Sequence, residues 1–257
     1  MKILISGIAG HMGQEVERLA RGGYRGATAC AGVDRILPAE AAVPCFTSFD
    51  DAPTDADVIV DFSHPSALAP LLDFAVSNRI PAVIATTGYT PAQRDDIAKA
   101  ARKIPIFYAA NYSVGIAVLI ELAKQTAAAF PDADIEIIEK HHHRKADAPS
   151  GTALAIAEAI REVRPAATLN LGRSGVGKRA PEEIGIHAVR MGNIVGDHEV
   201  IIGTENQTLT LRHEAHSRAL FAEGALTAAA FLVGQPAGLY DMKSMLSSKS
   251  KKEIPTV

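Results

Sequence analysis

Short apolar runs alternate with amphipathic segments through residues 1–113. Small or polar residues follow each run, as they do after strands that are buried on both faces of a parallel sheet. Strands are predicted at residues 3–6, 28–33, 58–62, 82–86 and 106–109, and helices at residues 14–21, 66–78 and 90–103. Because strands and helices alternate, we predict an α/β fold with a doubly wound parallel sheet.

The pattern changes after Ser113, where a long apolar segment precedes strands of alternating polarity. Helices are predicted at residues 114–130, 152–163 and 219–233, and strands at residues 135–140, 185–190, 199–203 and 208–213. Short turns separate the last three strands, which predicts an antiparallel meander. The polar end of the chain, residues 243–257, is predicted to fray.

A glycine-rich turn, GIAGHMG, joins the first predicted strand to the first predicted helix. Such a turn lets backbone N–H groups approach a pyrophosphate at a helix start. The spacing departs from the usual GxGxxG pattern, because Ile8 occupies the place of its first glycine; glycine-rich turns also serve ordinary strand–helix packing. Six residues of the turn are predicted to contact a dinucleotide: Gly7, Ile8, Ala9, Gly10, His11 and Met12.

Other predicted cofactor residues follow the later strands, since ligands bind at the carboxyl ends of strands in such sheets. Asp34 lies about twenty residues beyond the glycine turn, where an acid contacts the ribose hydroxyls. Arg35 beside it suits a 2′-phosphate, so the pair predicts weak discrimination between NADH and NADPH. The alternative interpretation is that Asp34 and Arg35 form a solvated turn that binds no ligand. The remaining predicted contacts are Ala85, Thr86, Thr87, Ala109, Ala110, Asn111 and Tyr112, although Tyr112 also suits simple packing.

A polar segment, EKHHHRKADAPSGT at residues 139–152, lies between a predicted strand and a predicted helix. Imidazoles exchange protons near neutral pH, and Lys145 adds a positive charge. Ser150 or Thr152 suits the cap of the following helix, whose free N–H groups favour an anion. The segment therefore predicts a pocket for a small carboxylate beside an acid and a cation.

Two polar segments have alternative interpretations. The histidine run is also compatible with a metal tract, although adjacent cations disfavour a further positive ion, or with a solvated loop. The basic loop at residues 172–179, GRSGVGKR, resembles a P-loop but has Arg179 where a magnesium-binding serine or threonine is required. This loop is either a mobile flap over an anionic ligand or a plain surface loop.

Composition narrows the possible functions. The chain has 257 residues, is 47% hydrophobic and carries a formal net charge of −3, which argues against nucleic acid or an anionic membrane as partner. Its two cysteines, Cys30 and Cys45, have neither a metal-binding nor a redox spacing. No apolar run suits a signal peptide or a membrane span. We therefore expect a cytoplasmic protein without a metal.

Together these segments resemble the dihydrodipicolinate reductase family over essentially the whole chain. Residues 139–152 are the most specific part; the glycine turn, ATTGY at 85–89, AANYSVG at 109–115, VGDH at 195–198 and GLYDM at 238–242 follow in the family's order. The resemblance implies a Rossmann-type dinucleotide-binding domain, residues 1–112 plus 222–257. An inserted α+β domain, residues 113–221, would bind substrate and form a homotetramer.

The resemblance also implies a reaction, the reduction of a cyclic imine dicarboxylate by NADH or NADPH in the diaminopimelate and lysine pathway. It makes His141 the acid/base and Lys145 the proton donor. His142 and the backbone of Gly151 and Thr152 would hold a substrate carboxylate. No chemistry is expected of their neighbours Lys140, His143 and Arg144.

Two other classes of function share parts of this pattern. A nucleotide-sensing or scaffold protein would use the same glycine turn without catalysis, although Lys145 and the DAPSGT segment favour an enzyme. A second possibility is a dehydrogenase of another aspartate-derived metabolite. Those that act on acyl substrates need a nucleophilic cysteine, and Cys30 and Cys45 are badly placed for that role.

Overall fold

The computed structural model describes residues 1–250, with side chains to residue 248. The chain forms two compact units. The first unit comprises Met1–Ser113 and Ala219–Val257, and the second comprises Val114–Arg218.

The strands of the described residues are β1 (Lys2–Ser6), β2 (Thr28–Val33), β3 (Cys45–Phe46), β4 (Val58–Asp61), β5 (Ala82–Ile84), β6 (Pro105–Tyr108), β7 (Asp134–His141), β8 (Thr168–Asn170), β9 (Glu183–Arg190), β10 (Gly196–Gly203), β11 (Thr208–Ala215) and β12 (Gly238–Tyr240). The helices are α1 (His11–Arg21), α2 (Leu68–Asn78), α3 (Pro91–Ala101), α4 (Val114–Ala129), α5 (Gly151–Arg161), α6 (Ala219–Leu232) and α7 (Met242–Ser250). None of these helices is both long and apolar enough to cross a membrane.

The first unit contains a parallel sheet of seven strands in the order β12-β6-β5-β4-β1-β2-β3. Its middle strands are buried on both faces, since β1 and β4 contribute Ile3, Leu4, Ile5 and Ile59 at 0% exposure. The strand order reverses between β1 and β4, so the loops that leave their carboxyl ends diverge and open a crevice. The predicted α/β class with a Rossmann-type sheet is confirmed.

Local sequence signals set the helix starts in this unit. Thr90 caps α3 in a reciprocal capping box with Gln93, and Pro91 occupies the first turn. Helix α1 starts at His11, three residues before the predicted start, because Gly13 already belongs to its first turn. A β-carbon at Gly13 would lie 2.1 Å from the carbonyl oxygen of Gly7, so the close approach of α1 to β1 requires glycine.

The second unit contains a mixed sheet of five strands in the order β11-β10-β7-β9-β8. Apolar residues of β7 and α5 meet in its core, where Ile135, Ile137, Ile156 and Ile160 are fully buried. Strand β7 lies at the centre of this sheet. Its last residue, His141, therefore emerges from a well-packed strand.

The structure corrects two predictions. The three strands predicted as a meander do not pair in sequence: β10 and β11 form an antiparallel hairpin, but β7 lies between β9 and β10. Polarity patterns identify strands but not their neighbours, and the helix after β7 allows a parallel crossover to β9.

The predicted fraying is also wrong for residues 243–250, which belong to α7, because Met245 is fully buried. Residues 251–257 lie outside the described part of the chain.

Candidate active site

A cavity opens at the carboxyl ends of β1, β2 and β4 in the first unit. Its lining includes four predicted cofactor residues, Gly7, Gly10, Asp34 and Arg35. The carboxylate of Asp34 accepts a hydrogen bond of 3.0 Å from the backbone N–H of Ala9. The acid predicted to contact a ribose therefore lies against the glycine turn.

The start of α1 lacks the side-chain cap and the acidic residues that usually satisfy the free N–H groups of a helix start. Its N-cap, Gly10, forms no side-chain hydrogen bond, and no acid lies in the first turn. The free N–H groups and the positive end of the helix dipole therefore remain available to an anion. This end of the helix fits the pyrophosphate of a dinucleotide.

The individual residues of the turn have distinct roles. Gly7 has a φ of +81°, and a β-carbon there would lie 2.5 Å from the carbonyl oxygen of Phe62, so only glycine fits. Ile8 is buried with its side chain against Gly32, which makes it a core residue that can offer a ligand only its backbone. His11 is exposed at the start of α1.

A second cavity adjoins the first, since both are lined by Phe62 and Ser63. Its lining includes seven more of the predicted cofactor residues: Met12, Ala85, Thr86, Thr87, Ala110, Asn111 and Tyr112. The remaining predicted residues, Ile8, Ala9, His11 and Ala109, lie outside the lining of both cavities. The Tyr112 side chain is buried and donates a 2.9 Å hydrogen bond to the Ile84 carbonyl, so it serves packing.

Three residues of the second cavity were not predicted. Phe62 and Ser63 directly follow β4, so the rule that identified the other strand ends also identifies them. Phe221 comes from α6, more than a hundred residues away from its cavity neighbours, and the sequence pattern holds no signal for it.

A buried acid, Asp61, lies beneath these cavities at the end of β4. Its carboxylate accepts hydrogen bonds from the hydroxyls of Ser63 at 2.5 Å and Thr86 at 2.7 Å. Burial raises the pKa of Asp61, and hydrogen bonds from Ser63, Ser6 and Thr86 offset part of that effect. Asp61 thus fixes the orientation of two hydroxyl groups that line the cavities.

The second unit holds the histidine segment between β7 and α5. His141 ends β7, and its Nδ1 lies 2.6 Å from the Glu139 carboxylate. The ammonium of Lys145 lies 2.8 Å from Asp147. Ser150 caps α5 by accepting a hydrogen bond from the Ala153 N–H at 3.2 Å. The Ala148–Pro149 peptide bond, which precedes this cap, is cis.

The predicted substrate residues occupy the same segment. The backbone N–H of His142 donates to the Ile194 carbonyl at 2.8 Å, and its buried Nδ1 has no hydrogen-bond partner within the described residues. Gly151 is the first residue of α5, with open space where a side chain would be, and Thr152 follows it. The structure therefore brings His141, His142, Lys145 and the start of α5 into one unit.

Positive charge gathers around His142. Burial lowers the pKa of His142, and the nearby charges of Arg144, Arg218, His141 and Lys145 lower it further. The site therefore favours an anion, although the formal net charge of the whole chain is −3. Arg218 was not predicted, because nothing in its local pattern marks it.

A second buried imidazole, that of His198, lies beside His141. The two ring centroids are 5.2 Å apart, and His198 Nε2 lies 3.2 Å from the Ser150 hydroxyl. Burial lowers the pKa of His198 to about 4, and the neighbouring His141 lowers it as well. His198 is therefore neutral at physiological pH.

The neighbouring polar residues anchor the segment. Lys140 pairs with Asp197 at 3.1 Å, His143 Nδ1 lies 3.0 Å from the Gly192 carbonyl, and Arg144 donates to Asn193 at 2.9 Å. These contacts tie the segment to residues 192–197, and the lack of a chemical role for Lys140, His143 and Arg144 stays a prediction.

The basic loop at residues 172–179 is tied to the sheet by its arginines. Arg173 pairs with Glu183, and Arg179 pairs with Asp134 at 2.7 Å and with Glu136 at 3.2 Å. These ion pairs favour the surface-loop interpretation over a flap. Across residues 1–250, metal-ligating side chains do not gather in groups of three or more that suit an ion.

Comparisons with known proteins match one protein family over nearly the whole chain. Residues 1–112 match the family "Dihydrodipicolinate reductase, N-terminus", and residues 115–246 match "Dihydrodipicolinate reductase, C-terminus". The 4-hydroxy-tetrahydrodipicolinate reductase of Clostridium novyi (strain NT) is 40% identical over 97% of this chain and 99% of its own length. The 4-hydroxy-tetrahydrodipicolinate reductase of Caldanaerobacter subterraneus is 44% identical over 96% of this chain and 98% of its own length.

A solved structure has the same architecture. It is the dipicolinate-bound dihydrodipicolinate reductase from Paenisporosarcina sp. TG-14, with a TM-score of 0.79 and 29% sequence identity. The match covers 94% of this chain and 97% of that one.

Proposed function

The chain belongs to the dihydrodipicolinate reductase family, and we propose that its two compact units divide the family's reaction between them. The enzyme uses NAD(P)H to reduce the cyclic imine derived from 4-hydroxy-tetrahydrodipicolinate to tetrahydrodipicolinate, a step in diaminopimelate and L-lysine biosynthesis. In our proposal the first unit binds the cofactor, and the second unit binds the dicarboxylate and supplies the proton.

The first unit's cavities support the cofactor assignment. The uncapped start of α1 would hold the pyrophosphate, and Asp34 would accept hydrogen bonds from ribose hydroxyls. Ser63 and Thr86, which Asp61 orients, line the second cavity at the strand ends. When bound, the nicotinamide supplies the hydride; the residues orient it and exclude water.

Asp34 and Arg35 set the choice of cofactor in this proposal. The Asp34 carboxylate suits the unmodified ribose of NADH, whereas the exposed Arg35 side chain beside it suits the 2′-phosphate of NADPH. We therefore propose that the enzyme accepts both cofactors.

The observation that carries the substrate assignment is the clustering of a proton source and an anion site in one segment. In this proposal the backbone of Gly151 and Thr152, at the start of α5, binds a substrate carboxylate, and His142 lies among cations. His141 and Lys145 lie at the beginning of the same segment. The dipicolinate bound to the Paenisporosarcina enzyme is likewise a dicarboxylate.

The chemistry explains why the reaction needs these groups. Hydride reaches a ring carbon of the conjugated imine, so negative charge develops toward the ring nitrogen. A proton or a cation must meet that charge in the transition state, and His141 and Lys145 are the groups that we propose for this role. Backbone donors at the start of α5 would hold the carboxylate without a mobile counter-ion.

A cofactor-oxidation assay tests the proposal. Freshly prepared dihydrodipicolinate should cause loss of NADH absorbance and of NADPH absorbance, and aspartate semialdehyde should cause neither. Binding of NADH without oxidation would indicate a nucleotide sensor, and oxidation with aspartate semialdehyde alone would indicate a different dehydrogenase. Either result contradicts the proposal.

The resemblance to the family also leads us to propose a cytoplasmic homotetramer. Light scattering coupled to gel filtration should then give the mass of four chains, and a monomer mass would contradict this.

A further inference from the structure

One buried carboxylate connects the parts of the second unit's site. Glu139 has 0% exposure, and its oxygens contact His141 on the same strand, the residue that caps α5, and an arginine of β9. The Ser150 N–H donates at 2.9 Å and the Arg190 guanidinium at 2.8 and 2.6 Å, and His141 Nδ1 lies 2.6 Å from the same carboxylate. The reaction described above assigns Glu139 no role.

The contact with Glu139 fixes the form of the His141 imidazole. Burial alone would raise the pKa of Glu139, but the hydrogen bonds from His141, Arg190 and Ser150 outweigh it and lower the pKa to about 2. The carboxylate is therefore ionised at neutral pH and can only accept hydrogen bonds. Nδ1 of His141 must carry a hydrogen, which leaves Nε2 as the nitrogen that can exchange a proton.

The neighbouring glycine leaves space beside that nitrogen. Gly196 faces it, and a β-carbon at this position would lie 3.2 Å from His141 Nε2. The absence of a side chain at Gly196 thus leaves room at the ring atom that Glu139 does not occupy.

The same carboxylate also positions the anion site. It accepts the N–H of Ser150, the residue that caps α5 and precedes Gly151. Arg190, which is bound to Glu139 through both terminal nitrogens, also donates to the Asp147 carbonyl at 2.6 Å. Asp147 in turn pairs with Lys145. A continuous set of contacts therefore runs from His141 through Glu139 to Lys145 and to the helix start.

We propose that Glu139 is a positioning residue that holds the His141 imidazole as its Nδ1–H tautomer and fixes the start of α5 beside it. The inference rests on the proposed function, in which His141 exchanges a proton and α5 binds a carboxylate. It predicts that one substitution affects both turnover and substrate binding, since both depend on the same carboxylate.

The Glu139→Gln variant tests this in steady-state kinetics. A glutamine amide has only one acceptor oxygen, so it cannot satisfy His141, Ser150 and Arg190 together. We expect kcat to fall roughly 10- to 100-fold and KM for dihydrodipicolinate to rise several-fold, with KM for NADH unchanged. His141→Gln should lower kcat without the increase in substrate KM.

A matched control lies on the same strand. Glu136 also contacts a histidine and an arginine, His187 at 2.9 Å and Arg179 at 3.2 Å. Glu136 and Glu139 point to opposite faces of the sheet, because side chains alternate along β7. Glu136→Gln should therefore leave kcat and both KM values within about twofold of the wild type.

Imidazole ¹⁵N spectra of the wild type give a readout that is independent of catalysis. In spectra of the neutral imidazole we expect the Nδ1–H tautomer of His141, and we expect the Nε2–H tautomer to gain population in Glu139→Gln. If the Gln variant does not fold, Glu139→Asp, which keeps the charge, should retain the Nδ1–H tautomer with a smaller loss of kcat.

The outcomes separate the two ideas. An Nε2–H tautomer in the wild type, or wild-type kinetics in Glu139→Gln, overturns the inference even if the enzyme reduces dihydrodipicolinate. An Nδ1–H tautomer in an enzyme that does not reduce dihydrodipicolinate overturns the proposed function and leaves the positioning of His141 by Glu139 intact.

Discussion

Two buried acids illustrate how neighbours decide the state of a carboxyl group. Asp61 and Glu139 both have 0% exposure. Glu139 accepts hydrogen bonds from Arg190 and His141, so its pKa is low. Asp61 has hydroxyl donors from Ser63 and Thr86, and burial raises its pKa. The neighbours of Glu139 therefore keep its carboxyl group ionised, whereas the surroundings of Asp61 favour the neutral form.

Substitutions at His141 and Lys145 test the proton-transfer roles. His141→Gln and Lys145→Ala should each reduce kcat by a factor on the order of 10² or more, because the developing charge on the ring nitrogen is no longer met. NADH affinity, measured by fluorescence titration, should change little. Near-normal turnover in either variant would contradict the role of that residue.

The low pKa of His198 predicts a loss of stability in mild acid. The folded-state pKa of His198, about 4, lies below the value of about 6.5 for an unfolded chain. Between these values the unfolded chain binds a proton that the folded chain does not, so the free energy of unfolding falls as the pH falls from about 6.5 to 4.

Urea unfolding at several pH values checks this. His198 should contribute a slope of up to about 1.4 kcal/mol per pH unit in that window. The slope should be smaller by about this amount in His198→Gln, with the rest due to other groups such as His213, whose pKa burial also lowers. Equal slopes in the two proteins would show that His198 is not the cause.

At the scale of elements, the glycine turn requires both an unusual backbone and a close contact. Gly7 combines a φ of +81° with a β-carbon position 2.5 Å from the Phe62 carbonyl, whereas Gly23 has a φ of +70° and open space around it. The two positions therefore separate backbone strain from steric exclusion.

Alanine substitutions at these glycines make the comparison quantitative. Gly23→Ala should lower the free energy of unfolding by about 1 kcal/mol through backbone strain alone. Gly7→Ala should lower it by roughly 2–4 kcal/mol and weaken NADH binding, because β1, β4 and the turn must move apart. Equal losses in urea unfolding would contradict the steric explanation.

Local patterns predicted the elements better than their arrangement. The bounds of β2 match the prediction, and the cap at Thr90 placed the start of α3. The polarity of β9 and β10 identified both as strands, but pairing with β7 depends on contacts that are distant in sequence. Met245 makes the same point, because the sequence around it is polar and its burial depends on tertiary packing.

The candidate site was predictable where chemistry is concentrated in one segment. His141, Lys145 and Gly151 lie within a span of 11 residues, so their types and order were visible in the sequence. Arg190 and His198 reach Glu139 and Ser150 from other strands, and only the fold brings them there.

At the scale of the molecule, each unit has its own sheet and its own hydrophobic core. The first unit contains the uncapped start of α1, and the second contains the cation-rich segment around His142. The polar groups that suit a dinucleotide and those that suit a dicarboxylate thus belong to different units. We propose that each unit supplies one reactant to a single hydride transfer.

Isotope transfer tests that claim most directly. The enzyme would be incubated with dihydrodipicolinate and NADH that carries deuterium at the transferable C4 position, and the product would be analysed by mass spectrometry. We predict tetrahydrodipicolinate that contains one deuterium, whose yield matches the NADH consumed. Product without deuterium, or NADH oxidation without this product, would contradict direct hydride transfer to the dicarboxylate.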